Sequence, residues 1–546
     1  MKLERTRAYK TKAPEITVCE IRLILGRFQI APKHMTRRTT AGTFMSKVAC
    51  VDDEGRKTFR STSGKGLTER YALASGYAEF IERLENGLLY DYRLPSLAAA
   101  KEDDPVLAAL LEANGLSFPH RYFPDEGMVD GQVVVPFYSV FDDDVVQVPF
   151  HRLRAQCGSN GMCAGNDPLE AVLQGMSEVF ERYALRMIYR DSPPLPEIPL
   201  ACFEGTTIYN LLDRIRAEEN IDLSVRDCSL GMGLPVLGLL IRRPDGRCAF
   251  HLGADPSPIT SLERCLSEMY QSMTVDGEEA GYFRPHGEGA DPFDWKAQFE
   301  QSLQDGSGTW AERVFERRSG PFGGFEHPVS RSVGEDFQYM LDILRRNGRA
   351  LYVRDVSYMG FPAFQVYVPG MTEMQYVDDP SEIGERLRFE DTYPLLMRIP
   401  GLDRRGMKRL SDAFSNTTFA VGHDDVFPIL PGAKADRDEV MFAIHMAAGE
   451  RARAIAFLRA LLESERGMDV ARLKFRGLLC DAESGSDFDP SIILSGENLI
   501  HCYHCDSCAN RHRCAFLSSL RALKPLYDAQ AAAFPDQRGL RRWLRI

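Results

Sequence analysis

The chain has 546 residues and a mass of 61.4 kDa, enough for three or four units of about 150 residues or one large domain with an extension, and too much for a small disulfide-stapled module. Hydrophobic residues at 44% and charged residues at 26% match folded soluble chains and argue against long disordered stretches. With 66 Lys and Arg against 78 Asp and Glu, the net charge of −12 has the wrong sign for a broad nucleic-acid-binding surface.

The longest plainly apolar run, Leu234 to Ile241, carries Pro235 and is far too short to cross a bilayer. The chain begins Met1-Lys2-Leu3-Glu4-Arg5, without the apolar segment of a secretory signal, so a cytoplasmic location is the expectation. The 13 cysteines are an odd number. Those from Cys19 to Cys265 stand singly, as reduced thiols do.

In chain order, Lys65 to Leu89 reads as a long helix, and Val133 to Phe137 and Val145 to Phe150 as strands. Pro168 to Tyr189 reads as a second long helix, opened by Asp167 as N-cap, Pro168 in the first turn and Glu170 after it. Leu234 to Ile241 and Cys248 to Leu252 flank Pro244-Asp245-Gly246, the pattern of a hairpin. Strands and helices so mixed mean an α/β or α+β domain over residues 1–390. From Asp391 strand-like runs become rare, and Arg437 to Glu463 reads as an amphipathic helix or helical pair. A mainly helical C-terminal domain over 391–546 is expected.

The two long helices share an internal signal, since Glu79-Phe80-Ile81-Glu82-Arg83 recurs as Glu178-Val179-Phe180-Glu181-Arg182. Spacing i, i+3 puts each Glu pair on one helical face, and the apolar residues between them turn that face inward. Two unit charges 4 Å apart repel by roughly 4 kcal/mol at an effective dielectric near 20, so four converging glutamates need a counter-charge. Magnesium takes carboxylate oxygens, keeps waters and is shared with phosphates, so such a helix pair suits a magnesium nucleotide, with Arg182 placed to face a phosphate. A single E-x-x-E-R is ordinarily a solvated, salt-bridging face; two copies shift the balance. Each follows a glycine-bearing turn, Ser63-Gly64-Lys65-Gly66 in the first case and Gly158-Ser159-Asn160-Gly161 with Ala164-Gly165-Asn166 in the second. Such glycines permit close backbone approach to an anion.

Familiar alternatives fail. Gly64-Lys65-Gly66 is not a phosphate-binding loop of the Walker type, which needs Ser or Thr after the Lys and Gly in place of Phe59. Neither helix supplies the His of a di-iron bundle, and no H-E-x-x-H or G-x-S-x-G occurs. His423, Asp424 and Asp425 read as a solvated acidic loop.

Taken together, Ser63-Gly64-Lys65-Gly66 leading to Glu79-x-x-Glu82-Arg83, and Gly165-Asn166 leading to Glu178-x-x-Glu181-Arg182, resemble the YcaO family of ATP-dependent peptide-backbone-modifying proteins. The resemblance continues in Leu252-Gly253-Ala254-Asp255-Pro256 with Leu262 through Glu268, and in Gly360-Phe361-Pro362 through Val368-Pro369-Gly370. It spans about residues 1–390 and implies a mixed α+β domain of that type with paired carboxylate-bearing helices. It implies Mg2+ at Glu79, Glu82, Glu178 and Glu181, and ATP near Ser63, Lys65, Asn166, Glu170, Arg182 and Arg264. Catalytic roles fall to Glu178, Glu181 and Arg182. For the Lys and Ser of the family's N-terminal segment, Lys10, Lys12 and Thr17 are candidates.

In proteins that this chain resembles, a nucleophile adds to a backbone amide carbonyl, ATP phosphorylates the oxygen, and phosphate leaves. A Cys, Ser or Thr side chain gives an azoline, and external sulfide gives a thioamide. Two features depart from the azoline-forming members: the last residues, Arg541 to Ile546, lack their proline-rich pattern, and no fused substrate-recognition domain is apparent. The helical extension resembles the stand-alone branch associated with methylthiolation of ribosomal protein S12. The resemblance thus implies a peptide or protein substrate, with a ribosomal protein or a sulfur-inserting enzyme as partner, and a homodimer as assembly. The rival reading is a non-catalytic, nucleotide-binding accessory factor.

Near the C-terminus, Cys502, Cys505, Cys508 and Cys514, with Cys480 and His512 nearby, could close a tetrahedral zinc site or ligate an iron–sulfur cluster. The spacing lacks the paired knuckles usual for zinc and the bacterial ferredoxin pattern. Free thiols and a redox or sulfur-relay role remain alternatives.

Overall fold

The computed structural model describes residues 10–50, 61–88, 123–129, 132–150, 153–271, 283–285, 294–305, 308–310, 320–326, 332–374, 395, 401–415, 437–463, 477–480, 482–484, 489–494 and 515–544. The chain is a mixed α/β fold whose C-terminal region is helical. It divides into two compact units: Met1–Leu94 with Arg121–Tyr376 and Ala522–Ile546, and Pro95–His120 with Val377–Arg521.

The first unit is built on three sheets. After α1 (Pro14–Arg27), strands β1 (Lys33–Arg38), β2 (Phe44–Ala49) and β3 (Thr62–Gly66) form an antiparallel meander followed by α2 (Glu69–Glu85). The second sheet joins β4 (Gly127–Val129), β5 (Gln132–Ser139), β13 (Tyr352–Asp355), β14 (Ala363–Tyr367) and β7 (Met162–Ala164), with β6 (Asp144–Pro149) on β5. From β7 the chain enters α3 (Pro168–Asp191). The third sheet has the order β12-β11-β10-β9-β8, from β8 (Glu197–Ile198), β9 (Asp222–Asp227), β10 (Val236–Arg242), β11 (Arg247–Ala254) and β12 (Arg284–Pro285). Helices α4 (Thr207–Glu219), α5 (Pro258–Met269), α6 (Trp295–Asp305) and α7 (Val333–Arg346) follow in this unit, which also takes in the C-terminal helical residues from Ala522 on.

The strands and hairpin read from the sequence are present. Arg242 pairs with Cys248, and the Pro244-Asp245-Gly246 turn closes with Gly246 at φ +84°. Helix α3 starts where its cap predicts, with the Asp167 carboxylate accepting from Leu169 N–H at 2.9 Å. Val172, Met176, Val179 and Ile188 are fully buried along it.

The first long helix is shorter than its sequence suggests. Lys65 and Gly66 belong to β3, and the helix starts only after the Thr68 cap. The reason is backbone packing, because a Cβ on Gly64 would lie 2.1 Å from Gly76 N and 2.2 Å from Ala72 O. The strand is therefore laid directly on the helix backbone. Buried hydroxyls stitch the contact: Ser46 Oγ donates to Ala72 O at 2.7 Å and Thr62 Oγ1 to Gly76 O at 3.0 Å. On the same helix Phe80, Ile81 and Leu84 are fully buried, each worth about 1.5–3 kcal/mol of apolar burial.

The second unit is described mainly through α8 (Arg404–Ser415), α9 (Arg437–Ala447) and α10 (Arg451–Glu463). The Arg437 to Glu463 pattern resolves into a helical pair, broken at Gly449 with φ +80°, a left-handed conformation that ends a helix. Leu410, Val440, Phe442, Ile444 and Leu458 are fully buried. Among them the His445 ring meets Ser411 Oγ at 2.8 Å. Burial, helped by the Arg453 charge, pushes this imidazole down to about 4.

Two tests follow from this packing. Replacing Gly64 by Ala should cost at least about 3 kcal/mol, because the new methyl meets backbone that cannot move aside; a urea midpoint shared with the parent protein would refute the close contact. For His445 the folded value lies below the ordinary 6.5, so the unfolded chain binds the extra proton as pH falls between these values. Opening of α9, read by hydrogen exchange, should become easier by up to ~3 kcal/mol from pH 6.5 to pH 4. His445→Leu should remove that share of the slope, and an unchanged slope would assign the acid sensitivity elsewhere.

Candidate functional site

Three strand-to-helix units build the site. Each strand, β3, β7 or β11, runs through a short capped turn into a helix, α2, α3 or α5, capped by Thr68, Asp167 and Ser257. The packing is cyclic. Helix α2 lies on β3 and reaches β7, α3 lies on β7 and reaches β11, and α5 lies on β11 and reaches β3. The glycines before the helices serve this packing. Gly64 meets α2, and a Cβ on Gly253 would lie 2.4 Å from Ser261 O of α5. A Cβ on Gly161 would lie 2.1 Å from Val366 O. The expectation that these glycines open the backbone to an anion is corrected here: at Gly64 and Gly161 the neighbouring backbone is the protein's own.

At equal sequence distances from the three caps stand two polar positions: Glu79 and Glu82 on α2, Glu178 and Glu181 on α3, and Glu268 on α5 with Gln271 just past its end. The third pair escaped the sequence reading because its second member is Gln and no Arg follows. Counting from Ser257, as from Thr68 and Asp167, would have found it. These side chains brace the next unit in the ring. Glu181 Oε2 accepts from Ala254 N–H at 3.1 Å, Gln271 Nε2 donates to Ser63 O at 3.4 Å, and the Ala164 N–H acts on the Glu82 carboxyl to lower its pKa. Lys65 forms an ion pair with Glu268.

The charges separate into two poles. Arg83 stands 3.5 Å from Glu79 and 3.3 Å from Glu82, so in the first copy the ordinary salt-bridging reading of E-x-x-E-R holds in part. One guanidinium faces more than two carboxylates, however. Burial first, then the Glu178 and Glu79 charges, hold the Glu82 carboxyl well above its usual range, against Arg83 and the Ala164 N–H. The buried Cys163 thiol is likewise pushed up, by burial and then by Glu82 and Glu178. Among the described residues neither Glu178 nor Arg182 has an ion-pair partner.

The other pole is cationic. Arg264 donates to Gln174 at 2.8 Å and lies 3.7 Å from Glu181. Burial, with the Lys65 and Arg182 charges, pushes the His251 imidazole down to about 4, which keeps it neutral at neutral pH. A carboxylate pole beside a cluster of Lys65, Arg182 and Arg264 suits a divalent cation on one side and phosphate on the other. No three described His, Cys, Asp or Glu side chains form a ready-made metal shell. The donors are hard oxygens in excess charge, which fits an ion that completes its shell with water and phosphate.

The N-terminal segment meets the start of α3. Lys10 Nζ lies 2.8 Å from Glu170 Oε1, Thr11 N–H donates to Glu170 Oε2 at 3.2 Å, and Thr17 Oγ1 donates to Asn166 Oδ1 at 2.7 Å. Lys10 and Thr17 thus join Asn166 and Glu170, whereas Lys12 pairs with Glu20. Cys502, Cys505, Cys508 and Cys514, His512 and the His423-Asp424-Asp425 patch lie outside the described residues. No described helix is long and apolar enough to cross a membrane.

Comparison with known proteins bears on residues 63–372, which match the model of the YcaO cyclodehydratase family, described as ATP- and Mg2+-binding. The chain is 28% identical over 373 residues to the ribosomal protein S12 methylthiotransferase accessory factor YcaO of Escherichia coli, covering 62% of each protein. It is 28% identical over 346 residues to an uncharacterized protein of Haemophilus influenzae, covering 58% of each. The match thus spans about three fifths of these relatives' length. YcaO from Methanopyrus kandleri, solved with AMPPCP and Mg2+, superposes with a TM-score of 0.46 at 17% identity over 69% of this chain and 98% of that one. A heterocyclase solved with substrate and cofactor superposes at 0.46 and 19% identity, over 70% of this chain and 57% of that one. With the family model covering more than half of its length, from the β3 glycines to Thr372, the chain belongs to the YcaO family.

Proposed function

We propose that this protein binds ATP with Mg2+ between α2, α3 and α5 and uses it to activate a backbone amide of a peptide or protein by phosphorylating the carbonyl oxygen. The observation that carries the reading is the excess of carboxylate around one arginine at Glu79, Glu82 and Glu178, set beside Lys65, Arg182 and Arg264. Glu79, Glu82, Glu178 and Glu181 would hold the cation, and ATP would supply the phosphoryl group that turns an amide oxygen into a leaving group.

The chain's own residues then have distinct tasks. Arg182, free of a carboxylate partner among the described residues, offers its planar fork to phosphate. Arg264 is held in place by Gln174 and Glu181. Asn166 and Glu170, tied to Thr17 and Lys10, fix the N-terminal segment over the start of α3, where backbone N–H groups favour anions. Ser63 and Lys65 border the same ring on β3. A sulfur-inserting enzyme or a ribosomal protein is the partner class consistent with the E. coli relative's name, and thioamide or azoline formation are the product classes. At the C-terminus, zinc or an iron–sulfur cluster held by Cys502, Cys505, Cys508 and Cys514 would stabilise the helical region; metal analysis of a Cys505→Ser, Cys508→Ser variant tests this, with an unchanged metal content counting against it.

Glu178→Ala should weaken magnesium-nucleotide binding at least tenfold in calorimetric titration while leaving thermal stability equal or higher, since one of several repelling charges is removed. Unchanged affinity would remove Glu178 from the site. Arg182→Lys keeps the charge and loses the fork, so phosphate release should fall tenfold or more with substrate or partner present. Full turnover in that variant would contradict a phosphate-facing Arg182. Nucleotide binding without phosphate release, under every combination with peptide and partner, would favour the accessory role over catalysis.

A further inference from the structure

One turn beyond Glu82, on the same face of α2, stands a third acid. Glu85 is fully buried, a position almost closed to carboxyl groups unless they are hydrogen-bonded. Its Oε1 accepts from Met359 N–H at 3.0 Å, while Oε2 has no hydrogen-bond partner among the described residues. Met359 belongs to the turn between β13 and β14 that carries the Gly360-Phe361-Pro362 segment, a motif with no part in the chemistry so far. Gly360, at φ +99°, gives that turn its left-handed step, and Gly360 N–H closes it on Ser357 O at 3.1 Å.

The neighbours of Glu85 bind the same turn. Tyr358 Oη donates to Leu84 O at 3.3 Å, and Asn86 Nδ2 donates to Phe364 O at 3.5 Å. Tyr358, Met359 and Phe361 pack with Tyr77, Phe80 and Leu84 of α2. On its far side the turn meets the entry to α3. Gly165 N–H donates to Pro362 O at 3.1 Å, and Ala363 pairs with Ala164. Asn166 follows directly. One turn therefore has the end of one carboxylate helix on one side and the loop leading into the other on the second.

We propose that Glu85 is a positioning residue: by accepting from Met359 N–H it fixes the Ser357–Pro362 turn on α2, and through the Pro362 carbonyl that turn sets Gly165 and Asn166, so that the two carboxylate helices keep the separation their shared ligand needs. The last clause rests on the function proposed above; the bracing itself does not. Burial, with the Asp355 charge adding to it, holds the Glu85 carboxyl well above the usual carboxylate range against the Met359 N–H. The bond from Met359 N–H asks only for a carbonyl-type oxygen at this position, which an amide keeps.

The test is a series at one position. Glu85→Gln keeps the acceptor and the volume, Glu85→Asp withdraws it by one methylene, and Glu85→Leu removes it. Hydrogen exchange of the apo protein should show protection lost at both Met359 and Gly165 in Glu85→Asp and Glu85→Leu, and kept at both in Glu85→Gln. Affinity for AMPPCP with Mg2+ should fall at least tenfold in the first two and stay within about twofold in the third. If Glu85→Leu does not fold, the Asp and Gln pair decides. Loss of protection at Met359 with Gly165 and affinity unchanged would overturn the proposal, leaving a local brace. A Glu85→Gln variant as weak as Glu85→Asp would also overturn it, by showing that charge is what counts. Parent protein that binds no magnesium nucleotide would refute the proposed function, while the exchange data would still judge the brace.

Discussion

Excess negative charge around Arg83 is the constraint to which the rest of this structure answers. Glu79 and Glu82 reach that guanidinium from its own helix, and Glu178 adds its charge from the neighbouring one. A folded chain does not gather acids against so few bases for stability, since removing repelling charge or replacing buried ion pairs by apolar groups is often neutral or stabilising. The arrangement has a cost in the unliganded protein, and a bound cation would relieve it. Lys65, Arg182 and Arg264 a short way off supply the opposite charge that the anionic part of the same ligand would meet.

Such a site can persist only on a frame that resists relaxation. The frame here is backbone against backbone: Gly64 on Gly76 and Ala72, and Gly253 on Ser261 and Cys265. Contacts of this kind leave no side chain to reorient, and the cyclic order in which each helix reaches the next strand ties the three units together. Glu181 on Ala254 and Gln271 on Ser63 then spend part of the polar groups on the frame itself. The helices are thus held by residues that the proposed site also uses, so the same few side chains recur in the packing and in the proposed chemistry.

Much of this was legible in the sequence where local rules apply. Asp167-Pro168 with Glu170 announced the start of α3, and the doubled E-x-x-E-R marked the two helices whose carboxylates gather near Arg83. The start of α2 was not legible, because Ser63-Gly64-Lys65-Gly66 looks like a helix entrance until the opposing Gly76 shows that a strand must lie there. Glu268 and Gln271 were hidden by the Gln substitution and by the short length of α5. Glu85 was hidden for another reason: in sequence it continues a charged helix, and the Met359 N–H that it binds lies hundreds of residues away. Long-range burial is what local pattern cannot report.

The most direct test of the account is to locate the cation. Crystals grown with MnCl2 and AMPPCP, measured at the manganese absorption edge, should give an anomalous peak within coordination distance of at least one of Glu79 and Glu82 and at least one of Glu178 and Glu181, with the nucleotide phosphates towards Arg182 and Arg264. A manganese peak remote from these carboxylates, or nucleotide bound with its phosphates away from both arginines, would contradict it.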